Sequence, residues 1–156
     1  MSIPKTGSMS ICSVLGIPRH LMHRPASKCR LGFRFAFIRE PLSRFMSAYA
    51  FCQSSRYPKV APLPAFREFV LSGHRPAVFF APQVSFLDAD VSFVGRFDAL
   101  QSGFVAVCAA LGLPPTKLPR LHKTEPSGEW DAETRAYVMR EYAEDFDLWR
   151  SNLTWL

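Results

Sequence analysis

With 156 residues, 48% hydrophobic and 21% charged, the chain has the composition of a single folded domain spanning 1–156 and is too apolar for a disordered one. A formal charge of +6 favours an anionic partner: nucleic acid, an acidic membrane surface or a small polyphosphorylated ligand. No run of 18 apolar residues and no basic-apolar-small leader order occurs, so neither a membrane-spanning helix nor a signal peptide is expected.

Residues 8–15 follow a polar loop and predict a short helix, ended by Gly16 and Pro18. Residues 17–31 are irregular and basic, with His20 and His23 among the cations. The apolar, aromatic run 33–38 predicts a strand buried on both faces. Pro41 suits the first turn of the next helix, which places Leu42, Phe45, Met46 and Tyr49 on one face. Residues 54–64, with three prolines, read as a loop, and 65–71 as a short helix closed by Gly73. Residues 74–90 are rich in proline and aromatics and are expected to line a cleft.

A second buried strand is predicted over 91–97, with Asp98 capping a helix to about residue 111. Residues 112–130 form a long loop with four prolines. Asp131 then caps a helix whose apolar stripe is Val138, Tyr142, Phe146 and Trp149. Strands alternating with helices imply parallel pairing and an α/β fold. The four cysteines, Cys12, Cys29, Cys52 and Cys108, make no C-x-x-C pair. Reduced thiols in a cytoplasmic protein are therefore expected rather than a disulfide framework or a zinc site, with Cys12, Cys52 and Cys108 packed in helices.

Two segments carry the chemistry. In Pro4-Lys5-Thr6-Gly7-Ser8-Met9-Ser10, a loop feeding a helix offers unpaired N–H groups, hydroxyls and a lysine charge to an anion, and Gly7 permits close approach. The order differs from G-x-x-x-x-G-K-[ST], where glycines precede the lysine. In the second segment Arg39 ends the 33–38 run directly, and Ser47 lies two helical turns on; a guanidinium fork and a hydroxyl can hold a phosphate together. Arg39 stands where a magnesium-holding acid would be expected, which argues against metal-dependent phosphoryl transfer and for no bound metal.

The first segment resembles the 5′-phosphosulfate loop of sulfotransferases that use 3′-phosphoadenylyl sulfate (PAPS), and residues 37–49 resemble their 3′-phosphate element. Pro82-Gln83, Phe93-Val94-Gly95-Arg96-Phe97-Asp98-Ala99-Leu100, Leu121-His122-Lys123-Thr124 and Tyr142-Ala143-Glu144-Asp145-Phe146 extend the resemblance to the carbohydrate branch, which includes heparan-sulfate 2-O-sulfotransferases and bacterial relatives. It implies a P-loop-NTPase-like parallel sheet flanked by helices. It also implies PAPS as co-substrate and a carbohydrate or other small hydroxyl acceptor, without nucleic acid or stable membrane insertion. By the resemblance, Lys5 touches the oxygen bridging phosphate and sulfate, and Thr6, Gly7, Ser8, Met9 and Ser10 give backbone and hydroxyl donors to the 5′-phosphosulfate. Arg39 and Ser47 hold the 3′-phosphate, and Lys123 and Thr124 close a late loop over the nucleotide.

The chain departs from that pattern at Met9, Glu40 and His122, and in the short segment between its two nucleotide elements. Four residues precede Lys5 where the family has a full strand, so a minimal sheet lacking its first strand is expected. A histidine suits the task of taking the acceptor's proton near pH 7. His20 and His23 are both candidates, and Arg19-His20 lies nearer the family's usual spacing, which favours His20. The competing readings are a P-loop-like nucleotide or small-molecule kinase, a basic nucleic-acid-binding module, and a relative that binds the nucleotide without turnover.

Overall fold

Two four-residue strands, β1 (Phe35–Ile38) and β2 (Phe93–Arg96), pair in parallel, with Phe35 opposite Phe93 and Ile38 opposite Arg96. The computed structural model describes residues 2–28, 32–54, 63–75, 78–121, 125 and 127–151. Parallel strands need a long crossover, which here carries α2 (Pro41–Gln53) and α3 (Phe66–Leu71). The chain opens with α1 (Ser8–Val14) and closes with α4 (Leu100–Ala110), α5 (Ala132–Glu141) and α6 (Ala143–Arg150). The fold is α/β, a small two-stranded parallel sheet flanked by helices.

All four β1 residues are buried, because both faces of the sheet are covered. Phe35, Phe37 and Phe93 meet Ile11 of α1 and Phe104, Val107 and Cys108 of α4. Ala36, Ile38 and Val94 meet Ile3 and Phe86, with Leu148 and Trp149 of α6 packed against them. Gly95 is dictated by this packing, since a Cβ there would lie 2.5 Å from the Phe37 ring. A second, aromatic core joins α2, α3, α5 and α6 through Phe45, Tyr49, Phe66, Phe69, Phe80 and Tyr142. Cys12, Cys52 and Cys108 are buried thiols.

Several boundaries differ from those read in the sequence. The first strand begins at Phe35, two residues later than the apolar run. Asp98 does not cap α4; it pairs with Arg96 at 2.9 Å, and a 3-10 turn, Phe97–Ala99, leads into the helix. The helix after Asp131 is two helices, separated at Tyr142, whose backbone leaves helical geometry (φ −112°, ψ 32°). Asp131 does cap, in a reciprocal box with Thr134. No strand precedes Lys5 among the described residues, yet Ile3 is fully buried in the sheet-facing core. Among the described residues no helix is long and apolar enough to cross a membrane.

Candidate functional site

Lys5, Gly7, Ser8, Met9, Ser10, Arg39 and Ser47, drawn from two separate segments, line one cavity of about 270 Å³. That is just below the roughly 300–1,000 Å³ usual for small-molecule sites. His23, Phe51, Phe79, Phe97 and Leu121 complete its wall. Lys123 and Thr124 lie outside the described residues, as does His122. Leu121 immediately before them is held at the cavity, its N–H 3.5 Å from Ser10 Oγ.

Backbone geometry singles out the same place. Lys5 (φ 67°) and His23 (φ 59°) are the non-glycine residues with left-handed backbone among those described, and both line the cavity. Such a conformation costs about 1–3 kcal/mol per residue and persists only where the surroundings impose it. Gly7 (φ 83°) continues the same tight loop, and a Cβ on it would fall 2.5 Å from Leu100 Cδ2. It caps α1 without a side-chain hydrogen bond, which leaves the first amides of that helix to the loop's concave side.

The Thr6 hydroxyl is engaged away from the cavity. Thr6 is buried, its hydroxyl donates to the Ile3 carbonyl at 2.9 Å, and it does not line the cavity. Its hydroxyl therefore braces the loop from behind. The start of α2 also differs, because the Glu40 carboxylate already accepts from the N–H groups of Leu42 (3.1 Å) and Ser43 (2.6 Å). The groups this segment offers to the cavity are therefore the Arg39 and Ser47 side chains, not the helix terminus.

Arg39 lies across both halves of the site. Its Nε donates to Ser43 Oγ (3.0 Å), its Nη1 lies 3.4 Å from the Lys5 carbonyl, and its guanidinium stacks on Phe97 at 4.5 Å. Burial lowers its pKa from the ordinary arginine value, with Glu40 opposing. Lys5 Nζ sits 4.1 Å from the centre of the Phe51 ring. Arg39 and Ser47 also border a second cavity of about 270 Å³, lined as well by Met46, Glu125 and Trp130.

The histidine brought to the cavity is His23; His20 is exposed and does not line it. The preference for His20 rested on spacing along the chain, whereas the left-handed turn at residue 23 redirects the segment. The His23 N–H donates to Ser2 Oγ (2.8 Å), and its ring meets Phe79 edge-on with centroids 6.0 Å apart. Its Nδ1 is buried without a hydrogen-bond partner among the described residues. Burial lowers the imidazole pKa below its usual 6.5, and the nearby charges of Lys5 and Arg44 act in the same direction. The ring is therefore neutral at pH 7.

This shift has a stability consequence. Between the lowered value and 6.5 the unfolded chain binds the proton and the folded chain does not, so stability rises with pH in that window. It is complete above about 6.5 and is lost as the pH falls below it. The urea midpoint of the wild-type protein should drop more between about pH 7.5 and 5.5 than that of His23→Gln. Equal drops in the two proteins would show that His23 titrates alike in both states.

Beneath the cavity, a buried polar network fixes both halves. Gln83, fully buried, accepts from the Arg39 N–H through Oε1 and donates to the Arg39 carbonyl through Nε2, both at 2.9 Å. Asp145 in α6 accepts from the N–H groups of Gln83 (2.8 Å) and Val84 (3.0 Å). Arg44 donates to the carbonyls of Pro4 (3.1 Å), Phe79 (3.2 Å) and Ala81 (2.7 Å). Its approach to Asp145, 3.9 Å, is a charge contact without a hydrogen bond. Burial raises the Asp145 pKa, opposed by the two amides and by Arg44, and lowers that of Arg44 to about 10. With two N–H donors and a cation around it, the carboxylate is charged at neutral pH.

Among the described residues no three His, Cys, Asp or Glu side chains converge to hold a metal ion. Arg96, stacked on Trp149 at 3.7 Å and paired with Asp98, is structural, and Tyr142 and Phe146 belong to the core. No family model, characterised protein or solved structure matches the chain.

Proposed function

We propose that the protein is a PAPS-dependent sulfotransferase moving a sulfuryl group to a hydroxyl acceptor, on a P-loop-like α/β scaffold. The observation supporting this reading is that one cavity is lined by both Lys5 and Arg39, together with Gly7–Ser10 and Ser47. A nucleotide phosphorylated at both its 5′ and 3′ positions carries an anionic group for each of these two cations.

In the reaction, the acceptor oxygen forms a bond to sulfur while the bond from sulfur to the bridging oxygen breaks. The bridging electron pair stays on the 5′-phosphate of the departing 3′,5′-adenosine bisphosphate. Lys5 faces the negative charge that grows on that oxygen, the kind of preorganised contact that contributes most to such transfers. Neutral His23 takes the acceptor's proton and later releases it to water. Arg39 and Ser47 fix the other end of the nucleotide, so the sulfuryl group and the acceptor are held in line.

Calorimetry in the absence of magnesium, with the bisphosphate, ATP and single-stranded DNA in separate titrations, tests the reading. The bisphosphate is expected to bind in the micromolar range and at least tenfold more tightly than ATP, since ATP has no 3′-phosphate for Arg39. Preference for ATP would point to a kinase, and preference for DNA to a nucleic-acid module; either result defeats the assignment.

A further inference from the structure

The wall beside Lys5 and His23 is unusually aromatic. Lys5 Nζ rests 4.1 Å over the Phe51 ring, Phe51 meets Phe79 edge-on at 5.1 Å, and Phe79 meets His23 edge-on at 6.0 Å. These four side chains form one continuous strip of the cavity. The reacting hydroxyl has to lie between Lys5 and His23, so the body of the acceptor lies against Phe51 and Phe79.

Among the described residues lining the cavity there is no Asp, Glu, Asn or Gln. Its hydroxyls are those of Ser8 and Ser10 in α1 and of Ser47, one helical turn before Phe51 in α2. A sugar placed on this strip would lose water from several hydroxyls and find, among the described lining residues, no side-chain amide or carboxylate in exchange. A cationic amine would face the like charges of Lys5 and Arg39. A flat ring with one hydroxyl is met by aromatic edges and faces, the arrangement that aromatic pairs favour.

We propose that the acceptor is a hydroxyl borne directly on an aromatic ring, of the phenol or naphthol class, seated between Phe51, Phe79 and His23. This rests on the sulfuryl-transfer reading and narrows the hydroxyl acceptor named there. Acid–base chemistry agrees with it. An imidazole of lowered basicity is matched to an acidic hydroxyl, and a phenol, near pKa 10, is far more acidic than a sugar hydroxyl.

The test compares labelled-sulfate transfer from PAPS to 2-naphthol and to a methyl glycoside, with bisphosphate binding followed in parallel by calorimetry. The kcat/KM for naphthol is expected to exceed that for the glycoside by about a hundredfold, the effect of leaving two hydroxyls unpaired. Phe79→Leu should raise the naphthol KM about tenfold more than it changes the bisphosphate Kd. Should that variant fail to fold, 2-methoxynaphthalene, which keeps the rings but has no proton to give, should inhibit the wild-type protein competitively against naphthol. Bisphosphate binding with preference for the glycoside, with transfer to neither acceptor, or without inhibition by the ether overturns the aromatic acceptor alone. Failure of the bisphosphate to bind overturns the sulfotransferase reading and the aromatic acceptor with it.

Discussion

Lys5→Met is expected to lower kcat for sulfuryl transfer by about a hundred- to a thousandfold, the loss typical when one preorganised donor to a developing oxyanion is removed. The lysine lies in a left-handed turn and lines the cavity beside the amides that open α1. In the proposed transfer its charge would meet an oxygen that becomes fully anionic only as the bond to sulfur breaks. The bisphosphate Kd should therefore change less than kcat, and the split between the two identifies a contact that strengthens in the transition state. Single-turnover rates with labelled PAPS, read beside calorimetry, make the measurement. A variant within threefold of wild type in kcat would remove Lys5 from the chemistry.

Asp145→Ala should destabilise the fold by about 3–5 kcal/mol, the range found when one partner of a buried charge pair is deleted. The substitution removes the carboxylate that faces the Arg44 guanidinium and leaves the N–H groups of Gln83 and Val84 without their acceptor. For a chain of this size the melting temperature should fall by roughly 10 °C. Asp145→Asn, which keeps one acceptor and the shape, should lose about half as much. Because Gln83 holds both backbone polar groups of Arg39, bisphosphate affinity should fall as well, even at temperatures where the Asn variant is fully folded. A melting temperature lowered by less than about 2 °C in the Ala variant would mean that the network contributes little.

The elements of the fold were legible wherever periodicity or punctuation was strong. Pro41 starts α2, Asp131 caps α5, and both aromatic runs become buried parallel strands. The two segments that line the cavity were legible for the same reason, since each combines a cation and hydroxyls at an abrupt change of pattern. Less was visible where tertiary context decides. The split at Tyr142 has no glycine or proline to announce it. Asp98 looked like a cap because Asp is a good one, but Arg96 two residues earlier competes for its carboxylate.

The polar network had a signal that spacing alone could have revealed. Asp145 falls on the stripe of Val138, Tyr142, Phe146 and Trp149, and Arg44 shares a helical face with the buried Pro41, Phe45 and Ala48. A charge in such a position has to find a partner. The choice between His20 and His23 was not readable, because three residues of separation do not reveal a left-handed turn. Phe51 and Phe79 gave no functional sign either. Fourteen phenylalanines in one chain hide the few that line the cavity.

The left-handed backbone at Lys5 and His23 has a bearing on any attempt to make this protein hardier. Glycine would relieve the steric conflict at either position, so selection for heat resistance alone would enrich glycine there and silently discard the residues assigned to the reaction. Libraries screened for thermal tolerance should therefore hold those two codons constant.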